Sequence, residues 1–424
     1  MGINGALKAI DNWMSKDRRG LENSQVMLSN NSVHMRWPPS LRSAPMVMGE
    51  MVDTSGRKAP RDIGRSISLG GKLYYIFGDT FGFDSFGQFK GCSNNTIALI
   101  QDPQQPTQST YLSKQLPIPL FVPYTGSEAK FTHDHSKENW RIVNWVFGGI
   151  VESLAPGSGV GWCFYDKIET HGGSIERGYG TGIARVSLAP PTCPPTGLMS
   201  SILQPPKVDD GILCERVKPK NVGTGSAARF LAEDQTGDGF MLFGTDEPCF
   251  GSISILHAPD GWVYCLGGYQ LVNYLARVRA DADFSDRSAY QFLCSSWSGP
   301  QWRSSYNAVN ELQTLGDLNV MGHASLLYLP DHGPRGRPFV CIGCDKFLSS
   351  KIFVACAERM EGPWRSAVLC DAPKAKAFTN HRYCIYPHVW ASNLANGEMV
   401  ISWSDDGSMG ARCIMGRFQW EMER

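Results

Sequence analysis

The sequence predicts an all-β chain, a five-bladed β-propeller with long inter-blade loops, and three observations carry that expectation. The 424 residues include 45 Gly and 26 Pro, too many turn formers for a helical protein. One phrase recurs five times: a small residue or Ser entering a short strand, a Gly-rich turn, then an aromatic-rich strand ending in Gly or Asp. A third apolar strand follows each copy, so the unit is a meander of the kind that propeller blades repeat.

The first copy runs from Arg61 to Asp79 (RDIGRSISLGGKLYYIFGD) and is followed by TIALI from Thr96. The second, Gly148 to Asp166, precedes GIARVSL from Gly182, and the third, Phe250 to Gly268, precedes YLARVRA from Tyr274. The fourth spans Gly322 to Asp345 and leads into KIFVACAE from Lys351; the fifth spans Tyr386 to Asp405 and leads into ARCIMGRF from Ala411. The anchors Ser66, Ser153, Ser252 and Ser325 lie at unequal spacings, which implies long connections, where sites are commonly built. Residues 44–424 therefore form one expected domain. Residues 1–43 read as an arm or cap with a short helix around Leu7 to Met14, and the Pro-rich stretch 189–222 as an irregular loop.

Charge and cysteine use bound the function. Forty basic side chains balance forty acidic ones, so nothing attracts nucleic acid. No run of eighteen apolar residues exists, and the first residues lack the apolar stretch of a secretory signal, so no membrane partner is expected. Thirteen cysteines, an odd number, include several in apolar strands such as Cys163, Cys265 and Cys413; these read as free buried thiols of a cytoplasmic protein. The triplets Asn30-Asn31-Ser32 and Asn94-Asn95-Thr96 would matter only in a secreted chain.

In a propeller, the start of each first strand and the end of each second strand share one face. That collects Arg61, Asp62, Arg65, Glu152, Ser252, His323, Tyr386 and His388 from strand starts, and Asp79, Asp166, Asp345 and Asp405 from strand ends. Carboxylates and imidazoles around one mouth suit general acid/base chemistry. Asp62, Glu152, His323 and His388 are thus the expected catalytic groups, with Arg61, Arg65, Asp79, Ser252, Tyr386 and Trp390 as substrate-binding groups. The flanking Arg61 and Arg65 are expected to keep Asp62 ionised. An Asp at a strand end equally accepts backbone hydrogen bonds in the next turn, the bland alternative for Asp166, Asp345 and Asp405.

The phrases RDIGRSISLGGKLYYIFGDTF, GIARVSL, NYLARV, MEGPW and YPHVWAS give the chain a further handle. They resemble the bacterial and fungal propeller family known as domain of unknown function 4185, some members of which are endo-D-arabinanases. The resemblance covers roughly residues 45–420, and what it implies is a sugar-cleaving propeller in which Asp62 and Glu152 are the acids. The absent export signal and the many thiols depart from an extracellular arabinanase. The reading favoured on those grounds is an intracellular enzyme that cyclises, dehydrates or joins a hydrophobic small molecule, with glycoside hydrolysis second and a binding platform third.

No cofactor and no metal are implied. Cys341-Ile342-Gly343-Cys344 lacks a second ligand pair, His133-Asp134-His135 reads as a solvated loop, and Gly223 to Ala228 has no preceding buried strand for a dinucleotide site. Asp234 to Gly239 lacks the distal Glu of a calcium loop. Trp297 and Trp302 fall in long loops, where aromatic faces suit a ligand wall.

Overall fold

The computed structural model describes residues 33–153, 157–188, 211–222, 240–346, 349–374, 381–405 and 411–423. The expected helix around Leu7 to Met14 and the discounted segments at Gly223 and Asp234 lie outside them. The protein is mostly β, and each recurring phrase folds as an antiparallel meander. Sheet 1 contains Arg61–Leu69, Lys72–Phe83 and Thr96–Ile100, with Phe89–Ser93 on the far part of the long second strand. Sheet 2 contains Ile150–Glu152, Val160–His171, Ser174–Leu188 and Ile212–Arg216, and Trp140–Trp145 also pairs with its second strand. Sheet 3 contains Ser254–His257, Trp262–Tyr269, Val272–Arg279, Tyr290–Cys294 and Gln301–Arg303. Sheet 4 contains Met321–Tyr328, Phe339–Asp345, Lys351–Ala357 and Arg365–Asp371. Sheet 5 contains Arg382–Pro387, Glu398–Asp405 and Arg412–Gln419, and the early strand Met46–Glu50 joins it as a fourth. A short parallel pairing of Arg61 with Arg412 links sheets 1 and 5.

Two readings change here. Ile212–Arg216, expected as irregular loop, pairs with Ser174–Leu188 as the outer strand of sheet 2, its short alternating stretch having been masked by the Pro-rich run before it. His133 and Asp134 lie on the helix Gly126–Asp134 instead of a loop. Thr125 starts that helix: its hydroxyl accepts from the Glu128 amide while the Glu128 carboxylate accepts from the Thr125 amide, a reciprocal cap. The fully buried Glu128 carboxylate also takes both Arg216 and Lys167, pinning the helix to sheet 2.

Apolar alternation drives the packing. One buried cluster fills each seam between successive sheets: Ile76 and Leu69 meet Cys163 and Tyr165 between sheets 1 and 2, and Phe164 and Phe243 meet Phe250 and Phe292 at the second seam. Leu266 and Leu275 meet Cys341 and Ala355 at the third, Ile342 and Val354 meet Ile401 and Trp403 at the fourth, and Tyr75 and Phe77 meet Val400 and Met415 at the fifth. A fully buried side chain of this size stabilises the fold by roughly 1.5–3 kcal/mol. The five first strands touch one another in turn, and that of sheet 5 touches that of sheet 1. The end of the molecule where first strands begin and second strands finish is called the mouth below.

At the centre of the first strands stands Arg65, 6% exposed. Its guanidinium donates to the carbonyls of Phe147 at 2.8 Å, Ile253 at 3.3 Å and Ala324 at 2.9 Å, and to Ser254 Oγ at 3.0 Å. One side chain from sheet 1 thereby ties in three other sheets. Gly149 makes room for it: with φ +90° and a Cβ that would stand 2.7 Å from Arg65 Nε, that position requires glycine.

Candidate active site

The mouth is built where two irregular strand entrances meet. Strand Arg61–Leu69 shifts register on both sides of Ile63, and Ile63 and Gly64 have φ of 70° and 71°. A β-branched residue in the left-handed region is strained, and such strain concentrates at functional sites. The bulge re-aims the neighbouring Asp62. On sheet 5, Cys384 has φ 50° and the register shifts between Tyr383 and Tyr386. Across this junction the Tyr383 hydroxyl donates to Asp62 Oδ2 at 3.0 Å.

The other Asp62 oxygen, Oδ1, is buried and accepts no hydrogen bond among the described residues. Burial first, and the nearby Asp79 carboxylate second, push Asp62 up to about 7; the Tyr383 hydroxyl, the Asp79 backbone amide and Arg141 pull it down by less. The expectation that Arg61 and Arg65 keep Asp62 ionised is therefore overturned, because both guanidiniums are spent elsewhere. Gly78, in the FGDTF phrase, lies against the Asp62 carboxyl: a Cβ there would stand 2.4 Å from Oδ1.

Asp79 sits beside Asp62 in a different setting. Arg141 Nη2 donates to its Oδ2 at 2.5 Å, and the Trp145 indole approaches its Oδ1 at 3.5 Å. The carboxylate is 20% exposed and its arginine partner 26%. That ion pair holds Arg141 above its ordinary value, and the same guanidinium lies 3.7 Å from Cys92 Sγ, a thiol pushed up to about 12 by burial. A third carboxyl, Asp166, accepts from Thr181 Oγ1 at 3.1 Å and is pushed up to about 7 by burial.

His323 faces the mouth from sheet 4. Its ring stacks on Phe147 at 4.6 Å, and Nδ1 lies 3.6 Å from Cys384 Sγ and 3.8 Å from Cys344 Sγ. Burial lowers it to about 4, so it is neutral at pH 7.

The remaining predicted site residues are placed elsewhere. Glu152 pairs with Gly161 at the hairpin end of its strand, and its carboxylate accepts from the Gly70, Gly157 and Gly159 amides. The strand is only three residues long, so the residue read as its start lies at its finish. His388 follows strand Arg382–Pro387 instead of opening it; it is fully buried, with Nδ1 2.8 Å from Ser66 Oγ and Nε2 2.8 Å from Ser402 Oγ, and burial lowers it to about 3. Tyr386 is fully buried under the Arg65 guanidinium, and Trp390 packs with Tyr75 in the apolar seam between sheets 5 and 1. Arg61 is buried, stacked at 3.7 Å over Phe77 and bonded to Met51 O and Ser109 Oγ; Arg65 is the central tie already described. Ser252 is buried, its amide donating to Cys249 O. At the other strand ends, Asp345 accepts from the Ser349 amide as a turn would require, and Asp405 is fully buried.

Of the ten predicted site residues, the structure thus gathers Asp62, Asp79 and His323 at the mouth. Sequence reasoning missed Arg141, Trp145 and Tyr383. The alternating run Trp140–Trp145 could have indicated a strand, but nothing local ties it to Asp79. Among the described residues no group of three or more His, Cys, Asp or Glu is placed to hold a metal, and the twelve described cysteines are unpaired. No described helix is long and apolar enough to cross a membrane.

No family model matches the chain, and no curated protein sequence matches it. Solved structures do. A Bacteroides ovatus protein described as a candidate hydrolase superposes with a TM-score of 0.56 at 14% identity, over 84% of this chain and 85% of that one. This likeness shows a shared fold. A GH43_1 enzyme from Xanthomonas citri, solved with xylotriose, aligns at TM-score 0.44 and 11% identity over 88% and 90% of the two chains. An α-L-arabinofuranosidase from Clostridium thermocellum aligns at 0.36 and 12% over 85% and 94%.

Proposed function

We propose that the chain is a five-bladed propeller hydrolase, a relative of the domain of unknown function 4185 family, that cleaves a glycosidic bond at its mouth. One observation carries this reading: two neighbouring carboxyl groups held in opposite environments. Asp62 is buried, raised to about 7 and left with one oxygen unbonded, so it keeps a proton to near neutrality; Asp79 is partly exposed and ion-paired to Arg141. Glycoside hydrolysis needs such a pair, one group to protonate the leaving oxygen and one ionised to serve as base, nucleophile or charge stabiliser. Tyr383 orients the donor, Arg141 the partner. His323 is a neutral wall group that hydrogen-bonds substrate or solvent without titrating near neutrality. The cyclisation reading rests on compartment and on analogy of fold, and no described mouth residue adds to it; the hydrolytic reading is therefore placed first.

Leaving-group dependence tests the assignment. Aryl arabinofuranosides and xylosides with poor and good leaving groups are compared on wild type, Asp62→Asn and Asp79→Asn. Loss of the proton donor slows the poor leaving group by at least ~100-fold and the good one far less, whereas Asp79→Asn slows both. Equal loss on both in Asp62→Asn would sink the donor role, and no hydrolysis of either series by wild type would sink the reading.

A further inference from the structure

The mouth leaves one feature unused: an open cleft of about 750 Å³ at the outer end of the seam between sheets 3 and 4. That volume is in the range of a small-molecule or oligosaccharide subsite. The cleft is lined by Trp302 and Gln301 of the outermost strand of sheet 3, by Gln313 of the connection, and by Arg359, Glu361 and Trp364 of the turn after the third strand of sheet 4. None of these residues is among the mouth groups Asp62, Asp79, Arg141, Tyr383 and His323.

The wall is rigid and prepared. Arg277 stacks over Trp302 at 4.2 Å and over Trp262 at 4.1 Å, and is itself fixed by two bonds to Gln291 Oε1. The Trp302 indole N–H donates to Glu361 Oε1 at 2.7 Å, which fixes both the ring and the carboxylate. The Trp364 indole N–H is taken by Met360 O, leaving that residue as an apolar floor. A second indole ring stands nearby in sequence. On the hairpin whose base supplies Gln301, Trp297 is 100% exposed, the most exposed large hydrophobic side chain described, flanked by Ser296 and Ser298. A naked indole on a hairpin tip contributes nothing to the core, and it stands three residues before Pro300, which lines the cleft.

We infer that this cleft, with Trp297 at its edge, is a second, non-catalytic binding site for a neutral oligosaccharide. Sugars present apolar C–H faces that pack on indole rings and an edge of hydroxyls that both donate and accept. Trp302 and Trp297 supply the rings; Gln301, Glu361 and Arg359 supply donors and acceptors in which one acidic and one basic group balance, while the Gln313 amide is already held by Ser295 Oγ and Thr314 O. That balance disfavours a strongly charged ligand, and a solvent-open cleft of about 750 Å³ has room for a chain passing through. The site does not depend on the mouth being catalytic.

Affinity electrophoresis in gels containing soluble arabinan, xylan or β-glucan tests it on the whole chain. Wild type and Asp62→Asn are retarded equally by at least one of the three, while Trp297→Ala and Glu361→Gln each weaken retardation about tenfold, the scale expected when an aromatic or central polar group is removed from a binding site. Trp297 is fully exposed, so its variant keeps the wild-type melting temperature and guards against misfolding. Three results overturn the inference: no retardation of wild type by any of the three polymers, unchanged retardation of both cleft variants, or a fall in retardation in Asp62→Asn to the same degree as in Trp297→Ala.

Discussion

Asp62 and Glu152 are carboxylates on the first strands of adjacent sheets, and the two ends of those strands treat them in opposite ways. At the hairpin end, Glu152 is surrounded by backbone amides from two turns and its charge is fully used in holding them. At the mouth, Asp62 receives one hydroxyl, faces another carboxylate and keeps one oxygen bare. The histidines repeat the contrast. His388, past the far end of its strand, has both ring nitrogens held by serines, whereas His323 at the mouth meets only thiols and an aromatic face. In these two pairs residue type alone does not distinguish the mouth from a support, and the satisfaction of the polar atoms does.

The largest expected effect comes from cutting what joins the sheets. Arg65→Ala leaves three carbonyls and Ser254 without their buried donor, and a loss of about 3 kcal/mol or more in urea unfolding is expected, since each orphaned group costs about 1–3 kcal/mol. An unchanged midpoint would show that the central tie is dispensable. Next comes Asp62→Asn, with turnover down at least ~100-fold on a poor leaving group and the fold intact. The matching change at the other end, Glu152→Ala, reverses the pattern: stability falls by about 2 kcal/mol as the turn amides lose their acceptor, and activity stays within about twofold of wild type. Should Glu152→Ala abolish turnover in a folded protein, the contrast between the two ends would fail.

The smallest effect concerns pH. The folded state holds the Asp62 proton up to about pH 7, while the unfolded chain releases it near the ordinary aspartate value of 3.8. The stabilising contribution of that proton is therefore complete below about pH 4 and is lost as pH rises through about 7. Asn has no proton to lose, so the melting temperature of Asp62→Asn relative to wild type should rise from near equality at pH 4 to a gain of about 2 °C or more at pH 8. A difference that shrinks with rising pH would contradict the assigned shift.

The meanders were legible because each strand carries its own apolar alternation and its own turn. Glu398 to Asp405 folds as read, whereas the second strands of sheets 1 and 2 continue past Asp79 to Phe83 and past Asp166 to His171, where further strands pair with them. The site was legible only in part. Asp62 and Asp79 stand in one phrase, and a paired strand brings them together. Their partners do not: Tyr383 arrives from the last sheet and Arg141 from a strand between two phrases, and no local pattern encodes a meeting across sheets. Glu152, Tyr386 and His388 were placed at the wrong strand ends because short first strands shift the phrase against the strand it contains. Arg65 looks like a substrate ligand in sequence because a buried arginine with carbonyl partners from three other sheets leaves no trace in its neighbours.

The chemistry proposed for the mouth turns on one protonation state. Infrared difference spectroscopy of wild type against Asp62→Asn, followed from pH 5 to pH 9, reads it without a substrate. A protonated carboxyl C=O band present at pH 6, absent from the variant and fading through about pH 7, is the predicted result. A residue already ionised at pH 5, with no such band, would contradict the claim that Asp62 is the proton donor of the mouth.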